Sequence, residues 1–166
     1  TRELAIQVAQ RISRFSKYKK IKVLPIYGGE SINKQIHELH RGVHIVVGTP
    51  GRVIDHLKRR TLNLSSTKVV VLDEADRMLD MGFIEDINYI LAQVPKNRQM
   101  SLFSATIDKS VMKICHKYML NPEKILVSKD EIALEQLSQY YMVVNSRNKI
   151  DYLLNMLKEN NLEKLI

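Results

Sequence analysis

Three carboxylates, Asp73, Glu74 and Asp76, come directly after the apolar run Val69-Val70-Val71-Leu72. A β-branched run of this kind reads as a parallel strand buried on both faces. Ligands of open α/β sheets bind at the carboxyl ends of such strands. Negative charge crowded there is costly unless a cation offsets it. Magnesium suits the position, because it prefers oxygen ligands and commonly uses one or two carboxylates together with phosphate oxygens. A plainer alternative stands beside this one: carboxylates also favour a helix start, where they meet the positive end of the dipole.

The cluster has the form of the strand-plus-acid element with which nucleotide hydrolases hold magnesium. On that reading Asp73 holds the ion through water, and Glu74 orients and deprotonates an attacking water. Ser104 and Thr106 come after another apolar run, Met100 to Phe103, so their hydroxyls are expected at the same sheet edge as Asp76. A hydrogen bond from either to Asp76 would tie the acidic cluster to its neighbours. Capping of the helix that begins near Asp108 is the other use for them.

Thr49-Pro50-Gly51-Arg52 has the make-up of a phosphate site. Threonine suits a helix N-cap, and proline suits the first helical position because it has no amide hydrogen to leave unpaired. Gly51 lets a nucleic-acid backbone approach closely, the free amides face a phosphate, and Arg52 can add a charge-assisted hydrogen bond. Gly28-Gly29 ends a strand and can present main-chain amides. Arg2, at the start of a helix, works against the dipole, and a phosphate partner would explain it. The alternatives are a capped helix without ligand, an ordinary turn, and a salt bridge from Arg2 to Glu3. Contacts of this type grip sugar and phosphate rather than base edges.

The elements that must position these residues alternate in period. Helices are expected over 1–15, 31–41, from Thr49 to about Arg60, 83–94 and 108–120. Strands are expected at Ile21–Tyr27, His44–Gly48, Val69–Leu72, Met100–Phe103 and Ile125–Val127. Such alternation implies an α/β fold, a mostly parallel sheet with helices on both faces. Residues 129–138 turn polar and read as a linker. Beyond it a strand at Tyr140–Val144, a helix at Lys149–Glu159 and the fragment Lys164–Ile166 read as the beginning of a second domain, too small to bury a core alone.

Charge is unevenly placed. Residues 1–60 carry 13 Lys or Arg against 4 Asp or Glu, whereas residues 61–166 carry 13 against 14, so the whole net charge of +8 arises in the first third. A polyanion-binding face has that footprint, although a solvated lysine-rich surface shares it. No apolar run is long enough to span a membrane. The single cysteine, Cys115, excludes an internal disulfide, reads as a small buried hydrophobe and fits a reducing, cytoplasmic setting, or a nuclear one in a eukaryote. His37, His40 and His44 have metal-like spacing, but Gly42 interrupts their helix and no cysteine is near.

Taken in order, the motifs resemble the DEAD-box RNA helicases. Thr1-Arg2-Glu3-Leu4-Ala5 with Gln7 is similar to the first RNA-contacting motif, without its leading proline. Gly28-Gly29 matches the double-glycine motif, and Thr49-Pro50-Gly51-Arg52 the second RNA-contacting motif. Asp73-Glu74-Ala75-Asp76 spells the family name. Ser104-Ala105-Thr106 matches the motif that couples hydrolysis to strand separation. Arg77 to Phe83 also resembles the family's stretch just C-terminal to the acidic motif. The resemblance covers residues 1 to about 127, and Gln139-Tyr140-Tyr141 resembles the entry to the second domain.

This resemblance implies a RecA-like, P-loop NTPase type α/β/α domain over 1–128, truncated on its N-terminal side, then the linker, then the start of the second RecA-like domain at 139–166. It implies ATP and Mg2+ as cofactors and RNA as partner. Asp73, Glu74 and Asp76 are the expected catalytic residues and Ser104 and Thr106 the coupling pair. Thr1, Arg2, Gly28, Gly29, Thr49, Pro50, Gly51 and Arg52 are the expected RNA contacts. The glycine-rich loop that cradles phosphates needs two glycines five positions apart, and glycines 28, 29, 42, 48, 51 and 82 offer no such pair. In the family that loop lies upstream of Thr1. The chain by itself is therefore expected to be inactive and poorly stable, a segment of an active helicase. A short non-catalytic RNA-binding protein, or one that docks on a helicase, is the alternative.

Overall fold

The computed structural model describes residues 1–127 and 141–159. The chain divides into two units, Thr1–Lys124 and Ile125–Ile166. The first holds helices α1 (Arg2–Phe15), α2 (Ile32–His40), α3 (Pro50–Lys58), α4 (Ala75–Asp80), α5 (Ile84–Ala92) and α6 (Lys109–Tyr118). Its strands are β1 (Val23–Ile26), β2 (Ile45–Gly48), β3 (Val69–Leu72) and β4 (Gln99–Leu102). In the second unit a 3-10 turn, Ser146–Asn148, leads into α7 (Lys149–Glu159). The residues read as a linker and as a final strand fragment, 129–138 and 164–166, lie outside the described residues.

All described strand pairing is parallel, as strands separated by helices require. It forms two ladders rather than the one sheet expected from the sequence. β1 pairs with β2, Val23 opposite Ile45, and β3 pairs with β4, Val69 opposite Gln99. α1 packs on both strands of the first ladder, its small residues Ala5 and Ala9 fully covered. Small side chains on that face let the helix axis come close, and the larger Phe15, expected on the apolar side, is left in solvent. Val53 of α3 and Ile26 of β1 both close on Gly48, where an added Cβ would stand 2.5 Å from Val53 Cγ2 and 2.9 Å from Ile26 Cγ1. Only glycine fits there.

Behind the second ladder lies a core of Ile87, Leu91 and Ile114, against which Val70, Leu72, Met100 and Leu102 pack. Strand side chains alternate between faces, so Val69 and Val71 point the other way, and each is 55% exposed. The expectation of a strand buried on both faces is thus corrected: one face is packed on the core, and the other is about half exposed. Helix α3 packs against α5, and α4 against α6.

Two expected strands are not seen among the described residues. Ile125–Val127 and residues 141–144 have no regular secondary structure and are largely exposed, and Tyr140 lies outside the described residues. An apolar β-branched run becomes a strand only where a neighbour accepts and donates its hydrogen bonds, and no described strand runs beside either. Cys115 is half-buried rather than buried, and burial pushes its thiol pKa up. No helix among the described residues is long and apolar enough to cross a membrane.

Candidate hydrolytic cluster and phosphate-binding face

β3 and β4 end side by side, and their hydrogen bonding continues past the ladder. Phe103 N–H donates to Leu72 O at 2.8 Å, and Ala75 N–H donates to Phe103 O at 3.0 Å. Ala75, completely buried, pins the start of α4 to the end of β4. The acidic residues and Ser104-Ala105-Thr106 therefore share one edge because both strands stop there.

Asp76 is the point of contact. Thr106 donates to its Oδ2 twice, from the backbone N–H at 2.9 Å and from the hydroxyl at 3.1 Å. Arg77 N–H donates to Oδ1 at 2.9 Å. Ser104 acts in the opposite sense to that expected: its hydroxyl accepts from Asp76 N–H at 3.1 Å, satisfying a free amide of the first turn of α4. Burial pushes the Asp76 carboxyl up, but the bonds from Thr106 and Arg77 outweigh it and hold the pKa below the usual carboxylate range. Helix α6 is capped by Asp108 itself, whose side chain accepts from Val111 N–H at 2.8 Å. That leaves Thr106 to Asp76.

Glu74 occupies the left-handed region, φ 51° and ψ 48°. For a non-glycine residue this conformation costs on the order of 1 kcal/mol or more and is often found at functional sites. Its carboxylate is 3.6 Å from Arg77 Nη1 and makes no capping bond to α4. Asp73 is exposed, and one of its oxygens accepts from Glu74 N–H at 3.0 Å. Short helix α4 was not distinguished in the sequence, since it spans a single six-residue stretch in which only Ala75, Met78 and Leu79 are apolar.

The basic segment builds a second locus around β1 and β2. Thr1 caps α1, its hydroxyl accepting from Leu4 N–H at 3.2 Å. Gly29 has φ +88°, and a Cβ there would lie 2.5 Å from Arg2 Nη1, so the structure brings Arg2 and the double glycine together. Arg2 also lies 3.5 Å from Glu3. Gly28 has open space around its Cα. Thr49 holds the N-cap position of α3 in extended conformation, with Pro50 first in the helix, but its side chain makes no capping bond. Gly51 is exposed and open.

Arg52 departs from expectation. Its Nη1 donates inward, to Glu30 O at 3.1 Å and to Gln35 Oε1 at 3.0 Å. Gln35 is buried and Glu30 half-buried, so this nitrogen is already engaged within the protein. Gln35 and His56, both buried, complete that network and were not recognised from sequence. The histidine trio does not converge: His44 Nδ1 accepts from Lys22 N–H at 3.0 Å, and no group of three metal-ligating side chains occurs among the described residues.

The DEAD/DEAH box helicase family model matches residues 1–114. The chain belongs to that family. It is 47% identical to the DEAD-box ATP-dependent RNA helicase CshA of Bacillus cereus, over 95% of this chain and 30% of that protein. Against the protein of the same name from Geobacillus kaustophilus the identity is 48%, over 95% of this chain and 34% of the relative. The chain thus spans about a third of the length of these relatives. The crystal structure of a DEAD box protein from Methanococcus jannaschii superimposes with a TM-score of 0.73 at 44% identity, covering 95% of this chain and 42% of that one. A hypothetical ATP-dependent RNA helicase from Sulfolobus tokodaii gives 0.69 at 44% identity, covering 74% and 37%. The DEAD-box, RecA-like α/β fold is therefore that of this chain. Its two separate ladders are parts of that parallel-sheet architecture.

Proposed function

We propose that this chain is the segment of an ATP-dependent RNA helicase that carries the hydrolytic acids and part of the RNA grip, in a protein that hydrolyses ATP on RNA and uses it to separate or remodel strands. The observation that carries the reading is the double hydrogen bond from Thr106 to Asp76, which makes the acidic cluster and the Ser-Ala-Thr motif one mechanical unit. In the same reading residues 1–128 belong to the first RecA-like domain, 129–138 to a linker and 139–166 to the second domain. Such a protein acts in the cytoplasm, or in the nucleus of a eukaryote, and the lone cysteine of this segment fits a reducing setting.

The donor set suits magnesium. Asp73 has one carboxylate oxygen bonded to an amide and the other without a hydrogen-bond partner among the described residues. A lone exposed carboxylate of this kind holds a strongly hydrated cation through its water shell. Bound magnesium and ATP together supply the charge compensation and the transferable phosphoryl group. Glu74 takes the proton from the attacking water, with its backbone fixed in the left-handed turn between β3 and α4. Asp76 holds Thr106, so that movement at one strand end is felt at the other. Arg2, Gly28, Gly29 and the start of α3 (Thr49, Pro50, Gly51) bear on RNA phosphates, and Arg52, anchored inward through Nη1, turns its remaining edge to the same face. Thr1 fixes the first turn that carries Arg2.

The test is ATP hydrolysis by the full-length protein with and without single-stranded RNA. Turnover stimulated by RNA, together with release of a short duplex strand, is the expected result. Hydrolysis indifferent to RNA would contradict the reading. The charge surplus in residues 1–60 favours a second one, in which the chain binds RNA without catalysis; RNA binding with no ATP turnover by the full-length protein would support it instead.

A further inference from the structure

Gln35 is 2% exposed and His56 is wholly buried, yet both are polar and neither belongs to a motif assigned above. Buried polar side chains persist where every hydrogen-bonding atom finds a partner, and these two do. Gln35 Nε2 donates to Tyr27 O at 3.1 Å and to Glu30 Oε2 at 3.2 Å, so its amide is oriented with Oε1 toward α3. Oε1 accepts from Arg52 Nη1 and from His56 Nε2, each at 3.0 Å. The Gln35 Oε1 acceptor puts a proton on His56 Nε2, and Nδ1 lies 2.8 Å from the Thr61 hydroxyl, which is also 3.2 Å from the His56 carbonyl. Burial disfavours a second ring proton, so the ring is neutral and the hydroxyl is shared between Nδ1 and the carbonyl.

Two loops meet in this network. Tyr27 and Glu30 flank the double glycine, and Arg52 is in the first turn of α3. Gln35 touches both at once, and His56 braces Gln35 from the far side. Because Arg52 is anchored through Nη1 alone, its Nε and Nη2 make no hydrogen bond to the described residues, so the guanidinium is held by one corner with an outer edge free.

We propose that Gln35 and His56 are positioning residues that lock the Gly28-Gly29 turn and the start of α3 at a fixed separation and present the outer edge of Arg52, so that the RNA backbone meets a preformed face. The inference rests on the RNA-binding reading of that face. Preorganisation of this kind raises affinity by removing the entropy lost when loops and long side chains order on binding. It adds no phosphate contact, and it leaves the hydrolytic cluster untouched.

RNA-stimulated ATP turnover by the full-length protein, titrated with a single-stranded polyuridylate oligomer, separates these roles. His56→Phe removes both ring hydrogen bonds and is expected to raise the half-saturating RNA concentration by about tenfold, with kcat at saturating RNA and KM for ATP unchanged. His56→Gln keeps a donor toward Gln35 and is expected to recover most of the loss. Thr61→Val, an isosteric change at the rim of the network, keeps the proposal testable if His56→Phe does not fold; about a threefold rise is expected. Equal RNA affinity in His56→Gln and wild type supports the idea only if Thr61→Val or His56→Phe is weakened. Wild-type affinity in Thr61→Val and in every folded His56 variant overturns it, as does a fall in kcat with unchanged RNA affinity. Arg2→Ala and Arg52→Ala distinguish the two layers of the claim: if both bind RNA normally, the RNA-binding reading fails, whereas if they weaken binding and the His56 and Thr61 variants do not, the positioning role alone fails.

Discussion

Thr106 holds Asp76 by two hydrogen bonds to a single carboxylate oxygen, 2.9 Å from its amide and 3.1 Å from its hydroxyl, across a sequence gap of 30 residues. Thr106→Val preserves the amide bond and the shape while deleting the hydroxyl. A hydrogen bond to a charged group contributes about 1.5 kcal/mol, or roughly a factor of ten. ATP turnover of the full-length protein is expected to stay within a few-fold of wild type. Strand release per ATP hydrolysed, measured with a labelled duplex, is expected to fall about tenfold.

Arg2 tests the phosphate grip. Each phosphate neutralised on a single strand steepens the dependence of log affinity on log salt by about 0.7. Arg2→Ala is expected to weaken binding to all RNA sequences alike and to flatten the salt slope by about that amount, as read by fluorescence anisotropy from low to physiological salt.

The two glycines of the double motif should respond differently. Gly29 has φ +88°, and a Cβ there meets Arg2 Nη1 at 2.5 Å, whereas Gly28 has nothing within 4 Å. Arg2 can swing aside, but the left-handed backbone strain of Gly29→Ala remains, about 1 to 2 kcal/mol. Gly29→Ala is expected to lower both stability and RNA affinity, and Gly28→Ala to leave stability near wild type. Thermal melting alongside anisotropy checks the contrast.

Much of this was legible beforehand because it is local. Thr49-Pro50 announces a helix start whatever surrounds it, and the acids after Val69–Leu72 fall at a strand end by counting alone. What escaped depends on tertiary partners. Ile125–Val127 has strand composition, but no described strand runs beside it, and composition alone does not supply a partner. The inward turn of Arg52 is set by Gln35, 17 residues away, and by Glu30, 22 residues away, and no periodicity encodes such a contact. The pairing of Gln35 with His56 is hidden for the same reason: each looks like an ordinary polar position on an amphipathic helix. Glycine at 48 was visible only as a strand end, although Val53 and Ile26 require it.

His56 also gives the first unit a pH response. Burial, and after it the nearby Arg52 charge, lowers its pKa from the ordinary 6.5. The unfolded chain then binds the proton more readily, so the stabilisation is fully present above about pH 6.5 and is lost as pH falls toward the lowered folded value. Asp76 adds a second, more acidic step of the same sign, its contribution being present above its ordinary pKa of 3.8 and lost below it. Hydrogen exchange of the full-length protein, corrected for intrinsic rates, is expected to show α2 and α3 opening more readily at about pH 5.5 than at about pH 7.5. In His56→Gln that difference should shrink.

Glu74→Gln tests the assignment of the hydrolytic cluster most directly, since it removes the proton acceptor while retaining size, hydrogen-bonding reach and the left-handed backbone. Single-turnover ATP hydrolysis by the full-length protein on saturating RNA is expected to slow by about 100-fold or more, with ATP-dependent RNA binding retained. Hydrolysis at the wild-type rate in the folded variant would contradict the placement of catalysis at the end of β3.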